Sequence, residues 1–244
     1  MNKILPGTVS LVTGSARGLG AAIVRELAEC GSDVAIHYRR SRTSAEALAK
    51  DVRSSGRRAE IFCANLNYSS AARQLVQEVH TAFNRLDHLV YNVGPLLTTP
   101  FTALSDDEWD EILNCNLKSA WATSVEAAPF LRSSGHGRII HIGANSAYVR
   151  THSVYGLAKA ALVHLTEALA VELAPHITVN CIAPGMIEGS EPDEKTRDLV
   201  VGRTPLQRLV RPEEIARMCA AVCSPTFDSV TGRTLVMDGG RWLR

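Results

Sequence analysis

Short apolar runs rich in β-branched residues alternate along the chain with longer segments in which apolar residues recur every three or four positions. The first pattern is typical of buried strands and the second of amphipathic helices. The runs predict strands at residues 8–14, 33–38, 59–65, 86–94, 137–143, 177–185 and 232–240. The intervening segments predict helices at residues 18–31, 44–56, 70–84, 105–131, 153–174 and 211–224.

Seven strands that alternate with helices predict an α/β fold, a doubly wound parallel sheet with helices on both faces. No linker, internal repeat or low-complexity tract interrupts the 244 residues, so we expect one domain over residues 1–244. The capping-box spacing of Ser105 and Glu108, and Pro212 in a first turn, mark two helix starts. Residues 186–206 are polar and irregular, and such a long segment in a compact domain predicts a lid over a substrate.

The composition, 45% apolar and 21% charged, is ordinary for a soluble chain. The formal net charge of +1 gives no reason to expect nucleic acid or an anionic membrane as a partner. No run approaches the roughly 18 apolar residues of a membrane span and no signal-peptide pattern is present, so we expect a cytoplasmic location. The six cysteines are scattered, and no Cys/His set has metal-ligand spacing, so we expect buried free thiols and no metal site.

A glycine-rich turn, TGSARGLG at residues 13–20, leaves the first predicted strand and opens the first helix. Gly14, Gly18 and Gly20 permit a tight turn and let the backbone approach a pyrophosphate at the helix N-terminus. A glycine set alone is a weak signal, but this one lies at the first junction of a repeated strand–helix chain. That context predicts a nucleotide site.

The loop after the second strand indicates which nucleotide binds. An NAD site would place an acidic residue there for the ribose 2′-hydroxyl. This chain instead reads HYRRSR at residues 37–42, with Arg17 in the glycine turn. Because guanidinium groups bind phosphate in bidentate fashion, the cluster favours a 2′-phosphate and therefore NADP(H).

Tyr155 and Lys159 lie four residues apart in a predicted helix, so their side chains share one face. A phenol beside an ammonium is a tuned proton donor, which predicts an enzyme. Upstream, where a helper hydroxyl is expected, the chain reads Gly143-Ala144-Asn145-Ser146.

With these elements in place, the whole chain resembles the short-chain dehydrogenase/reductase family, which has a Rossmann fold. The motifs that carry the resemblance are TGSARGLG, LVYNVG, NCNL, YGLAK, IAPG and MDGG. The segments GRIIHIG, AVELAPHITVNCIAPG and TPLQRLVRPEEIA are similar to bacterial 3-oxoacyl-carrier-protein reductases. HYRRSRTSAEAL also resembles the cofactor loop of pteridine reductases.

The resemblance implies a role for each matching residue. Tyr155 is implied to protonate the substrate carbonyl as hydride arrives, while Lys159 lowers the pKa of the phenol and holds the ribose. Asn116 is implied to support a water chain to the lysine. The residues assigned to the cofactor are Gly14, Ser15, Arg17, Gly18, Leu19, Gly20, His37, Tyr38, Arg39, Arg40, Ser41, Asn65, Leu66, Asn92, Gly94, Tyr155, Lys159, Pro184, Gly185 and Ile187.

Four places depart from the family pattern. Ala144 stands about where the catalytic serine is usual, and either Ser146, by its hydroxyl, or Asn145, by its amide, is a candidate replacement. Loss of such a carbonyl-orienting group lowers the rate on the order of 10²–10³-fold. The other departures are Tyr91 and Val93 in the LVYNVG segment, Asn65 for an aspartate, and Gly189-Ser190 for a threonine.

We therefore expect an NADPH-dependent reductase of a small-molecule or carrier-bound carbonyl, similar to 3-oxoacyl-carrier-protein reductases and assembled as a homotetramer or homodimer. One alternative is a pteridine reductase-like activity on a C=N bond. Another is a cofactor-binding protein with little turnover. Most cofactor positions match the family whereas the substrate side has drifted, which indicates an altered substrate choice.

Overall fold

The structure, a computed structural model, describes residues 3–145, 152–190 and 193–243. The strands are β1 (Val9–Val12), β2 (Asp33–Tyr38), β3 (Ala59–Cys63), β4 (His88–Tyr91), β5 (Gly137–Ile142), β6 (Ile177–Pro184) and β7 (Thr234–Met237). The helices are α1 (Gly18–Glu29), α2 (Arg42–Ser54), α3 (Ser69–Phe83), α4 (Asp106–Leu113), α5 (Ser119–Ser133), α6 (Val154–Leu173), α7 (Glu194–Gly202) and α8 (Pro212–Cys223). A π-helical turn (Asn114–Lys118) joins α4 to α5.

All seven strands form one parallel sheet in the order β3-β2-β1-β4-β5-β6-β7. This confirms the predicted doubly wound α/β fold. The strand order reverses direction between β1 and β4, so the chain leaves these two strands toward opposite sides. In open α/β sheets, ligands bind in the crevice at the carboxyl ends of such a pair.

The sheet separates two apolar cores. Leu11 of β1 belongs to the core beneath α3, α5 and α6, and its neighbour Val12 belongs to the core beneath α1, α2 and α8. Both side chains are fully buried. A strand covered on both faces is apolar at most positions, which is why the strand patterns are nearly continuous runs and not alternations.

Two predicted segments differ from the structure. The single helix expected at residues 105–131 is interrupted by the π turn, although it begins at the predicted capping box of Ser105 and Glu108. The segment 186–206, expected to be irregular, contains α7, whose first turn is capped by the carboxylate of Asp193 accepting from the Thr196 N–H. A short polar helix has no apolar stripe that a sequence pattern would reveal.

α6 is the one helix among the described residues that is long and apolar enough to cross a membrane by composition. It packs against β6 and the π turn, and it buries Ala158, Leu162 and Leu169. These contacts are those of a core helix in a globular fold.

The described residues contain no group of three or more His, Cys, Asp or Glu side chains placed to hold a metal ion. All six cysteines are free thiols. Four of them are buried as expected, whereas Cys63 is exposed.

Besides His37 of β2, two histidines lie buried inside the sheet. His88 of β4 hydrogen-bonds Ser10 Oγ through Nδ1 at 2.9 Å. His141 of β5 contacts Ser124 Oγ at 3.1 Å and Thr166 Oγ1 at 2.9 Å. Burial lowers the pKa of His88 to about 4 and the pKa of His141 to about 3. Both rings are therefore neutral in the folded protein at neutral pH.

We predict that the free energy of unfolding decreases as the pH falls from about 6.5 toward 4. The unfolded chain takes up protons on these histidines near their ordinary pKa while the folded chain does not, so each contributes a slope of about 1.4 kcal/mol per pH unit. Urea denaturation at several pH values measures this slope. His88→Gln should reduce it, whereas His164→Gln, at a side chain that is 86% exposed, should not. An unchanged slope in His88→Gln would contradict the prediction.

Candidate active site

A cleft of about 370 Å³ lies at the carboxyl edge of the sheet, where the strand order reverses. Loops that follow β1, β2, β3 and β4 form its walls, together with one face of α4 and the π turn. Its lining residues are Gly14, Ala16, Arg17, His37, Tyr38, Arg39, Arg40, Ser41, Ala64, Asn65, Leu66, Asn92, Val93, Gly94, Pro95, Glu111 and Cys115. The cleft thus brings together most of the residues that the sequence assigns to a cofactor.

The other assigned residues do not line this cleft. Gly18, Leu19 and Gly20 form the first turn of α1 behind the glycine loop. Pro184 ends β6, and Ile187 pairs with Val210 in an isolated parallel bridge. These two therefore lie on the side of the site toward β6 and α8.

The glycine turn is closed tightly on itself. A Cβ placed on Gly20 would lie 2.5 Å from the Gly14 carbonyl oxygen and 2.7 Å from Ser15 Cα. Gly14 has a φ of +61°, a conformation that favours glycine. The Ser15 hydroxyl points inward, donating to the Val12 carbonyl and accepting from the His37 N–H. Ser15 therefore holds the turn and does not present its hydroxyl to the cleft.

His37 anchors the glycine turn. Its Nδ1 accepts from the Gly14 N–H at 2.8 Å, and its Nε2 lies 3.1 Å from the Ala64 carbonyl, so the proton sits on Nε2. Burial lowers the pKa of His37 to about 4. His37 is therefore neutral at neutral pH. Its place in the basic HYRRSR loop suggested a phosphate ligand, but the structure makes it a wall of the cleft that fixes the turn.

Three arginines, Arg17, Arg39 and Arg40, border the end of the cleft next to β2. Arg42 begins α2 outside the lining and pairs with Glu46 at 2.8 Å. Arg39 instead reaches across the cleft, with Nη1 3.7 Å from Glu111 Oε1 on α4. Glu111 has no counterpart in the motifs of the sequence, so its place in the cleft was not predicted.

The Tyr155–Lys159 pair lies at the start of α6. The Ser153 hydroxyl caps this helix by accepting from the Gly156 N–H at 3.1 Å, which fixes Tyr155 in the first turn. Lys159 follows one turn later, is 3% exposed, and donates from Nζ to the Ile142 carbonyl at 2.9 Å. The lysine Nζ lies 5.6 Å from the centroid of the tyrosine ring.

Burial controls the protonation of both groups. It raises the pKa of Tyr155 to about 12 and lowers the pKa of Lys159 to about 8. The expected lowering of the phenol pKa by the lysine is thus outweighed in this structure, because desolvation disfavours both charged forms. At neutral pH, Tyr155 carries its proton and the amine of Lys159 is mostly charged.

Asn116 lies in the π turn, and its side chain is directed toward Gly94 and Lys159. Its Nδ2 donates to the Ile112 carbonyl at 3.0 Å and to the Pro95 carbonyl at 3.2 Å. Its buried Oδ1 has no hydrogen-bond partner among the described residues. A Cβ placed on Gly94 would collide with this oxygen and would lie 2.8 Å from Lys159 Nζ. Asn116, Gly94 and Lys159 therefore converge at the carboxyl end of β4.

Tyr91 is the unexpected residue in this group. It is fully buried, and its hydroxyl donates to the Cys115 carbonyl at 2.6 Å. A π turn disturbs the regular helical hydrogen bonds, and Tyr91 supplies a donor to one carbonyl within it. The tyrosine that departs from the family pattern thus supports the turn that carries Asn116.

The wall that follows β5 is only partly described. Ala144 is buried, and Asn145 directs Nδ2 toward Asp238 Oδ2 at 3.4 Å. Ser146, the other candidate for the displaced serine, lies outside the described residues. On the next wall, Ser190 turns its hydroxyl back to the Ile187 carbonyl at 2.6 Å.

The fold and the site together define an oxidoreductase of the dinucleotide-binding α/β class. A family model described as enoyl-(acyl carrier protein) reductase matches residues 14–241. The chain belongs to the short-chain dehydrogenase/reductase family, which confirms the resemblance found in the sequence.

Known proteins of similar sequence and structure cover almost the whole chain. An uncharacterized oxidoreductase of Mycobacterium tuberculosis is 37% identical, over 97% of this chain and 92% of its own. A 3-oxoacyl-[acyl-carrier-protein] reductase of Staphylococcus aureus is 30% identical, over 96% and 98%. A short-chain dehydrogenase of Burkholderia cenocepacia, solved in complex with NADP, superimposes with a TM-score of 0.92 at 35% identity, over 98% and 99%.

We predict that Tyr91→Phe lowers the free energy of unfolding by about 1–3 kcal/mol, because the buried Cys115 carbonyl loses the hydroxyl that donates to it. Urea denaturation measures the change. Tyr68→Phe removes the same atom from a residue that is 61% exposed and should leave stability within about 0.5 kcal/mol. Equal stability of Tyr91→Phe and wild type would show that the hydroxyl does not support the π turn.

Proposed function

We propose that the protein is an NADPH-dependent reductase of a carbonyl substrate, similar to 3-oxoacyl-carrier-protein reductases. One observation carries the proposal: Tyr155, Lys159 and Asn116 are gathered beside a cleft bordered by Arg17, Arg39 and Arg40. A proton donor, Tyr155, and phosphate-binding arginines therefore lie at the same edge of the sheet.

The residues present fit NADP(H). Gly20 lets the glycine turn close on itself, because a Cβ there would collide with the Gly14 carbonyl, and the closed turn borders the cleft where a pyrophosphate can approach the backbone. Arg17, Arg39 and Arg40 provide guanidinium groups for a 2′-phosphate. The relative from Burkholderia cenocepacia was solved with NADP. When bound, the reduced cofactor supplies hydride to the carbonyl carbon.

The chain's own residues then handle the proton. Tyr155 is protonated at neutral pH and donates its hydroxyl proton to the carbonyl oxygen as charge develops there. The charged Lys159 favours the phenolate that remains. Asn116 Oδ1, which has no partner among the described residues, accepts a hydrogen bond from a water that also contacts the lysine. This water returns a proton to the phenolate of Tyr155.

The substrate is proposed from the relatives and from the sequence. The relative from Staphylococcus aureus is named for a 3-oxoacyl group on a carrier protein, so a 3-oxoacyl thioester is the leading candidate. Residues 186–206, with α7 inside them, are proposed as the lid over it. Cytoplasmic location is proposed from the family alone.

A steady-state assay tests this function. NADPH oxidation is followed with 3-oxoacyl thioesters, simple ketones, enoyl thioesters and pterins, with NADH as the alternative cofactor. Turnover of the 3-oxoacyl thioester with NADPH is expected. Turnover of the pterin alone would favour the pteridine reductase-like alternative, and turnover of the enoyl thioester alone would favour reduction of a C=C bond.

We predict that Tyr155→Phe lowers kcat about 10²–10⁴-fold, because the proton donor is lost. Its affinity for NADPH, measured by fluorescence titration, should change little. Tyr68→Phe serves as the matched control and should retain wild-type kcat. If the protein binds NADPH tightly, turns over nothing in the panel, and is unaffected by Tyr155→Phe, it is a cofactor-binding protein and the proposed function is wrong.

We also propose that the chain assembles as a homotetramer or homodimer. Trp121 and Val125 of α5 and Leu157 and Val171 of α6 are apolar and between 36% and 82% exposed. Association that covers these side chains would remove them from water. Sedimentation equilibrium should give two or four times the monomer mass of 26.4 kDa. A single species at the monomer mass would contradict this assembly.

A further inference from the structure

One ion pair crosses the cofactor cleft. Arg39 follows β2 on one wall and Glu111 lies on α4 in the opposite wall, with Nη1 and Oε1 3.7 Å apart. Cys115 lies on the wall beside this pair. Burial and, to a smaller extent, the charge of Glu111 raise the pKa of its thiol to about 11, while the charge of Arg39 opposes this rise. The charges of Arg39 and Glu111 therefore lie close together beside Cys115.

The charge of Glu111 is unusual for its position. It is the one acidic residue among the described residues that line the cleft, where three arginines are present. Neither Arg17 nor Arg40 makes an ion pair within the described part of the chain, so Arg39 alone is already engaged. A carboxylate and a phosphate compete for the same guanidinium N–H groups.

The pair contributes little to the stability of the fold. The side chains of Arg39 and Glu111 are 40% and 48% exposed, and exposed ion pairs stabilise proteins weakly. The larger effect of the pair is on binding, since an anion that binds the Arg39 guanidinium competes with the nearby charge of Glu111.

We propose that Glu111 is a specificity-determining residue that acts through Arg39 and weakens the preference for a 2′-phosphorylated dinucleotide. This rests on the proposed use of NADP(H). In the free protein Glu111 holds Arg39, and binding of the 2′-phosphate breaks this pair. A dinucleotide with a free 2′-hydroxyl leaves the pair intact, so its affinity does not depend on the pair.

The test is a double-mutant cycle read by binding. Dissociation constants for NADPH and NADH are measured by fluorescence titration for the wild type, Glu111→Gln, Arg39→Gln and the double variant. Glu46→Gln is the matched control, because Glu46 pairs with Arg42 outside the cleft. Thermal unfolding of each variant verifies that it is folded.

Glu111→Gln should tighten NADPH binding about two- to fivefold, leave NADH binding within error, and have no effect on either cofactor in the Arg39→Gln background. Glu46→Gln should change neither constant. Equal tightening with and without Arg39 would show direct repulsion of the phosphate by Glu111 and would overturn the proposal. So would weaker binding of both cofactors to Glu111→Gln, which would make Glu111 a ligand of their shared part.

The wild-type constants test the proposed function separately. If the wild type binds NADH as tightly as NADPH, or binds neither, the assignment of NADP(H) fails and the role of Glu111 fails with it. If the wild type prefers NADPH but Glu111→Gln does not tighten it, the assignment stands and only the role of Glu111 is wrong.

Discussion

The site depends on the burial of one positive charge. Lys159 is 3% exposed, and an ammonium in such a place is stable only when oxygen atoms surround it. The Ile142 carbonyl at the end of β5 provides one of them. This bond ties the first turns of α6 to the end of β5, and Tyr155 lies one turn earlier on the same face. The absence of a side chain at Gly94 lets the loop after β4 close over the same ammonium.

Features that rest on local rules were readable in the sequence. The strands could be predicted because a sheet covered on both faces requires continuous apolar runs. The glycine turn was recognisable because Gly14 and Gly20 meet backbone constraints that few other residues satisfy. The Tyr155–Lys159 pair followed from helical spacing alone. In each case the residues that cause the feature are neighbours along the chain.

Features that rest on distant contacts were not readable. The π turn receives a hydrogen bond from Tyr91, 24 residues before Cys115. The sequence places His37 at the start of a basic loop, but the structure fixes its ring between the Gly14 N–H and the Ala64 carbonyl. Glu111 lines the cleft because α4 forms the wall that faces the loop after β2. No sequence motif contains Glu111. The pKa of Tyr155 also depends on burial, which a sequence pattern does not measure.

The departures from the family pattern are not equivalent. Tyr91 stands where the family has an asparagine, and its hydroxyl donates to the Cys115 carbonyl in the π turn that carries Asn116. Ala144 makes no such bond itself, because its side chain is a methyl group. Asn145 turns its amide to Asp238, whose carboxylate also accepts from the backbone N–H groups of Gly240 and Trp242. Asn145 therefore ties the end of β5 to the C-terminal segment. Residues 143–145 carry no hydroxyl, so this described part of the wall offers no hydroxyl to orient the substrate carbonyl.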